Sequence, residues 1–161
     1  MGTGNVIVGV EDSPRAWWHT RWAASYASGA GATLELISCW RPGQLELRQH
    51  AAEGLRFVAP EDAARERLQL LLDRLRAEDP AAAVTLTLAC GRVSDALVEA
   101  SAHACLLVLG SRERSRWARA LSGSTSRRVA RLSRCPVVAV TGRPLPSGAG
   151  RVARVRAVTP Q

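Results

Sequence analysis

Along this chain, short runs of consecutive apolar residues alternate with longer stretches whose apolar residues recur every three or four positions. Val6-Ile7-Val8-Gly9-Val10 predicts a strand buried on both faces. Ser13 then stands as N-cap and Pro14 at the first helical position of a helix reaching about Ser28, where Gly29-Ala30-Gly31 stops it. Leu34 to Cys39 predicts a second strand. Trp40 to Ala59, with Pro42, Gly43 and Gly54, reads as a loop with room for a short helix. From Glu61 to Glu78, Ala64, Leu68, Leu71, Leu72 and Leu75 fall on one helical face, and Asp79-Pro80 ends the pattern. Val84 to Leu88 alternates as a third strand, and Gly91-Arg92-Val93-Ser94-Asp95 leads into a helix to about Ala104. A fourth strand at Cys105–Leu109, a helix at Ser124–Ser133 and a fifth strand at Pro136–Val140 complete the series.

Strand and helix alternating this often predict an α/β fold: a doubly wound, five-stranded parallel sheet in strand order 3-2-1-4-5. Helices cover both faces and the crossovers are right-handed. In such a sheet a ligand lies at the carboxyl ends of the strands, so the loops after Val10 and after Leu109 are expected neighbours. After residue 142 periodicity fades. Residues 143–161 are expected to form a basic tail, largely disordered or loosely attached.

The chain has 161 residues, enough for one well-filled core. No apolar run approaches the roughly 20 residues needed to cross a bilayer, and Met1-Gly2-Thr3-Gly4-Asn5 resembles no secretory leader. A cytoplasmic location, away from membranes, is therefore expected. Cys39, Cys90, Cys105 and Cys135 match no zinc or Cys-x-x-Cys spacing and read as small buried hydrophobes. His19, His50 and His103 form no metal pattern, and His19 and His103 read as surface or boundary residues of helices. Trp18 and Trp22 share a helical face and read as core packing.

Charge changes this picture. The formal net charge is +8, and all 22 basic residues are arginine. Without lysine, a Walker A loop, a pyridoxal Schiff base and a lysine nucleophile are excluded. Between Gly110 and Arg134 eight arginines face one acid, Glu113, whereas the chain before Gly110 has more acids than arginines. The positive field is concentrated where Leu109-Gly110-Ser111-Arg112 leaves a strand and Gly123-Ser124-Thr125-Ser126 opens a helix. Backbone N–H groups at a helix N-terminus bind anions, so this region is the candidate site for a phosphorylated ligand.

These residues resemble the universal stress protein family. Gly110, then Glu113 where a second glycine belongs, then nine residues and Gly123-Ser124 follow the phosphate motif of its nucleotide-binding members. Val8-Gly9-Val10-Glu11-Asp12-Ser13-Pro14 is similar to the opening strand, with Glu11 for the usual Asp. Cys135-Pro136-Val137-Val138-Ala139-Val140 is similar to the closing strand, and the likeness spans about residues 4–141. It implies a domain over 1–142 that binds ATP, with or without Mg²⁺, and pairs into homodimers through the last strand, Pro136, Val137, Val138, Ala139 and Val140. Carried over residue by residue, Val10 and Glu11 meet the nucleotide sugar or a metal, and Cys39 offers backbone groups to the adenine. Gly110, Ser111, Arg112, Glu113, Gly123, Ser124 and Thr125 surround the sugar and phosphates.

Two departures bear on this. Glu113 has a Cβ, which makes a left-handed backbone cost about 1–2 kcal/mol, and it adds negative charge near phosphates. Glu11 carries its carboxylate about 1.5 Å further out than Asp would. Three functions follow. The first is a cytoplasmic nucleotide-binding stress-response or regulatory protein, dimeric and without strong catalysis. The second is a weak ATPase or autophosphorylating protein, with Ser124 or Thr125 as acceptor. The third is a nucleotide-independent dimeric interaction module with a degenerate pocket. Nucleic-acid binding through the arginine tail is a remote fourth reading. Bland readings stand beside these: Gly110 and Gly123 as turn glycines, the Ser122–Ser126 cluster as a helix cap, and Glu11-Asp12 as a solvated turn.

Overall fold

The structure is a computed structural model, and it describes residues 4–43, 46–50, 54–110, 124–140 and 156–158. Strand β1 (Asn5–Val10) leads to α1 (Ala16–Ala30) and β2 (Leu34–Trp40). Strands β3 (Glu46–His50) and β4 (Gly54–Val58) follow, then α2 (Pro60–Glu78), β5 (Val84–Cys90) and α3 (Val93–Ala100). Strand β6 (Ala104–Gly110), α4 (Ser124–Leu132), β7 (Val137–Val140) and β8 (Arg156–Val158) complete the order.

The main sheet runs β5-β2-β1-β6-β7-β8. Its first five strands are parallel and stand in the expected order, the third, second, first, fourth and fifth of the sequence pattern. Val6, Ile7 and Val8 are fully buried because β1 is central and covered on both faces. Alternate residues divide between two cores. Val6, Val8 and Val10 pack with Trp17, Ala23, Leu68 and Leu75 beneath α1 and α2. Ile7, Leu107 and Leu109 pack with Leu97 and Val129 beneath α3 and α4. Each such large side chain withdrawn from water contributes about 1.5–3 kcal/mol. All five apolar residues expected on the inner face of α2 are buried. At Gly9 an added Cβ would stand 3.0 Å from Leu97 Cδ1, so the missing side chain lets α3 lie close to β1.

Two expectations are corrected. The stretch from Trp40 to Ala59 is no loop with a short helix: β3 and β4 pair as an antiparallel hairpin, Glu46 opposite Val58 and His50 opposite Gly54. The first helix does not begin at Pro14. Ser13 and Pro14 belong to a turn in which the Ala16 N–H bonds the Ser13 carbonyl, and α1 starts two residues later without a side-chain cap. The Ser13 hydroxyl is engaged locally instead, donating to Glu11 Oε1 at 3.1 Å and accepting from the Arg15 N–H at 3.3 Å. Within the expected tail, Arg156–Val158 pairs antiparallel with β7, Val137 opposite Val158.

At its other end α1 stops where glycine allows. Gly31 has φ 63°, and its N–H bonds the carbonyls of Ala27 and Ser28.

Candidate functional site

Strand order creates the site. The chain leaves β1 toward β2 and β5 on one side, and returns to β6 and β7 on the other, so the crevice beyond β1 and β6 is the switch point of the sheet. Val8 lies opposite Val108, a register that brings Val10 and Gly110 to the same end of the sheet. Helix α1 begins there too, as every helix following a parallel strand must.

Of the expected site residues, the structure brings together Val10, Glu11 and Gly110, with Cys39 near the end of β2. Val10 is buried, Glu11 is exposed, and Cys39 and Gly110 are half-buried. Burial pushes the Cys39 thiol up, against the charges of Arg41 and Arg67, which keeps it in its weakly nucleophilic protonated form. Ser124 and Thr125 open α4, Ser124 exposed and Thr125 half-buried. Ser111, Arg112, Glu113 and Gly123 lie outside the described residues. Pro136 precedes β7 and is exposed, whereas Val137, Val138, Ala139 and Val140 are buried in a strand flanked by β6 and β8. The edge of β7 expected to meet a second copy is thus taken by the chain's own Arg156–Val158.

The cysteines divide by position. Cys135 is buried, and burial raises its thiol, with Cys105 nearby adding to the effect. Cys90 and Cys105 are exposed, contrary to the expectation that all four are core residues.

Sequence reasoning missed His19. Expected at the surface or its boundary, it is 3% exposed, in the first turn of α1. Its imidazole lies against the Cα of Gly110. A Cβ built on Gly110 would overlap the ring, standing 2.7 Å even from Nε2. Burial lowers the His19 pKa, and the carboxylate of Glu11 opposes that shift from beyond β1. The ring is therefore neutral at pH 7. Its Nε2 is buried and without a hydrogen-bond partner, a state shared among the described residues by the hydroxyl of neighbouring Thr20. An orphaned buried polar group costs about 1–3 kcal/mol. The signal for burial was in the spacing: His19 stands three residues after Ala16 and four before Ala23, both buried.

Gly110 therefore has a reason internal to the fold. Its bare Cα seats an imidazole, and on that face a ligand could approach it only if the ring moved. An orphaned Nε2 and the N-terminus of α1 at the same strand ends suit an anionic ligand. Among the described residues, no group of three or more His, Cys, Asp or Glu is placed to hold a metal ion.

A second polar cluster lies away from this crevice. The nearly buried carboxylate of Glu35 in β2 accepts from Thr87 Oγ1 at 2.7 Å and from Asn5 Nδ2 at 3.0 Å, and lies 3.2 Å from His103 Nε2. Burial pushes Glu35 up, but the three hydrogen bonds and the charge of His103 outweigh it and hold the carboxyl below its ordinary value. Every buried oxygen here has a partner, so this cluster is structural.

A parallel sheet with its switch point between the first and fourth parallel strands defines the doubly wound α/β class. The model of the universal stress protein family matches residues 2–141, and the chain belongs to that family. The universal stress protein Rv2005c of Mycobacterium tuberculosis is 31% identical over 133 residues, 83% of this chain and 44% of the relative. The universal stress protein Mb2028c of Mycobacterium bovis matches to the same extent. The chain thus spans less than half the length of these relatives. Among solved structures, a universal stress protein in complex with cAMP is 26% identical with a TM-score of 0.65, covering 88% of this chain and 98% of that one. A universal stress protein from Archaeoglobus fulgidus in complex with dAMP has a TM-score of 0.61 at 23% identity, over 86% of this chain and 98% of that one. The latter likeness supports the fold.

Proposed function

We propose that this chain binds an adenine nucleotide in the crevice beyond β1 and β6 and acts as a nucleotide-responsive regulatory protein of the cytoplasm, without strong catalysis. The observation that carries the reading is the convergence of the β1 end, the β6 end and the α1 N-terminus on one crevice that holds a buried imidazole nitrogen with no partner among the described residues. The solved cAMP complex of a family member supports it. ATP, with Mg²⁺ or without, is the ligand to test first. Glu11, Cys39, Gly110, Ser124 and Thr125 are its proposed contacts among the described residues. Ser111, Arg112, Glu113 and Gly123 complete the set by resemblance of sequence alone.

Calorimetric titration with Mg²⁺-ATP, ADP, AMP and cAMP tests this directly. Saturable binding below millimolar concentration is expected, with phosphate release near the uncatalysed rate. No heat with any of the four at millimolar ligand overturns the reading.

A second reading is favoured by two observations. The His19 ring covers the Cα of Gly110, and the Glu11 carboxylate is bonded to Ser13. On this reading the crevice is filled by the protein itself, and the chain works as a dimeric interaction module. Glu113→Gly and Glu11→Asp together separate the two: a large gain in nucleotide affinity supports the second reading, and equal affinity supports the first. Dimerisation through β7 belongs to both readings and requires β8 to leave its edge.

No helix among the described residues is long and apolar enough to cross a membrane.

A further inference from the structure

His19 is absent from the phosphate motif, yet its ring lies in the crevice against Gly110. Its ring is held in the first turn of α1 and lies on Gly110, the last residue of β6. Nε2 is buried and makes no hydrogen bond within the described residues. A polar atom withdrawn from water without a partner is rare in a folded protein, and a partner arriving with a ligand is one physical explanation for it. We infer that His19 is a ligand-contacting residue of this site, whose Nε2–H donates a hydrogen bond to a phosphate oxygen of the bound nucleotide. The inference rests on the nucleotide reading and adds a residue to it.

Three features select phosphate as the acceptor. Phosphate oxygens only accept, and a neutral imidazole protonated at Nε2 can donate there. Helix α1 presents its N-terminus, with the favourable end of its dipole, at the same end of the sheet, and it has no acidic residue in its first turn. The following segment, from Gly110 to Arg134, carries eight arginines against one acid. Glu11 opposes these, but its carboxylate is tied to the Ser13 hydroxyl rather than aimed at the ring by any hydrogen bond. Because Nε2 is shielded in the free protein, the contact requires the ring to swing from its seat on Gly110 about χ1 and χ2.

The full chain has three histidines, His19, His50 and His103, so the imidazole nitrogens of uniformly ¹⁵N-labelled protein can be followed separately. His19→Gln assigns the resonance. Titration with AMP is expected to shift His19 Nε2, whereas adenosine, lacking the phosphate, is expected to move backbone amides of β1 and β6 but not that nitrogen. His19→Ala is expected to weaken AMP about tenfold or more, and His19→Gln, which keeps an N–H donor, to stay within about threefold of wild type. The inference is overturned if AMP moves the amides while the His19 nitrogens stay fixed, or if His19→Ala binds AMP like wild type. Adenosine moving Nε2 as far as AMP does would also overturn it, assigning the contact to the nucleoside. If neither AMP nor Mg²⁺-ATP perturbs any amide, the nucleotide reading itself has failed and the inference falls with it. Because the ¹⁵N shift is read on wild-type protein, a folding defect in a variant cannot mask the answer.

Discussion

His19 and Gly110 share one seat: the imidazole of the first occupies the space in which a side chain on the second would stand. Gly110→Ala is therefore expected to destabilise the fold by about 1–3 kcal/mol through overpacking. The same change in a His19→Ala background should cost far less, because the ring is gone. Urea unfolding of the two single variants and the double variant measures this coupling. Additive effects would show that the ring and the glycine do not compete for space.

The Thr20 hydroxyl is buried and has no hydrogen-bond partner among the described residues, in the stripe Ala16, Thr20, Ala23 and Ala27 that α1 turns to the sheet. Thr20→Val keeps the shape and removes the orphan oxygen. Stability should rise by about 1 kcal/mol, measured as a higher urea midpoint at unchanged slope.

The Glu35 cluster makes a prediction about acid. Its carboxyl is held below the ordinary value of about 4.3, so its contribution to stability is fully present above that pH. The contribution is lost as pH falls through the lowered value in the folded state, because the unfolded chain takes up the proton first. Glu35→Gln should be less stable than wild type at pH 7, and the gap should narrow steadily below about pH 4. Parallel unfolding curves at every pH would contradict the assignment. His103, at the rim of the cluster, should matter less than Thr87, whose bond is shorter.

Thiol chemistry follows burial. Cys90 and Cys105 are exposed and should react with an aromatic disulfide reagent in the native state within minutes. Cys39 and Cys135, whose thiols burial pushes up, should react in a slower phase that denaturant abolishes. Four equal rates in native protein would be incompatible with this arrangement.

Strand β8 covers the outer edge of β7. Removing residues 143–161 exposes the backbone groups of Val137–Ala139, an edge that readily pairs with another chain. Sedimentation should show the truncated chain more strongly associated than the full chain. The same oligomeric state for both would mean that assembly does not use this edge.

The periodicity of apolar residues does not say which strands are neighbours, but it was enough to predict a parallel sheet covered on both faces by helices. Local pattern decides these matters: runs such as Val6–Val10 can be hidden only in a strand covered twice, and the leucine spacing of α2 can be buried only along one helical face. The same local reading erred where partners lie far apart in sequence. The hairpin of Glu46–His50 and Gly54–Val58 was obscured by glycine and proline around it, and β8 lay in a tail without periodicity. Ser13 followed by Pro14 has the form of a helix start, but the Glu11 carboxylate bonds to the Ser13 hydroxyl and the helix begins later. His19 marks the boundary most clearly. Sequence placed it on a helix. Only the packing of α1 against the end of β6 decided that its ring would be buried on Gly110 with a nitrogen unsatisfied, since those two residues are brought together by the crossover and not by their spacing.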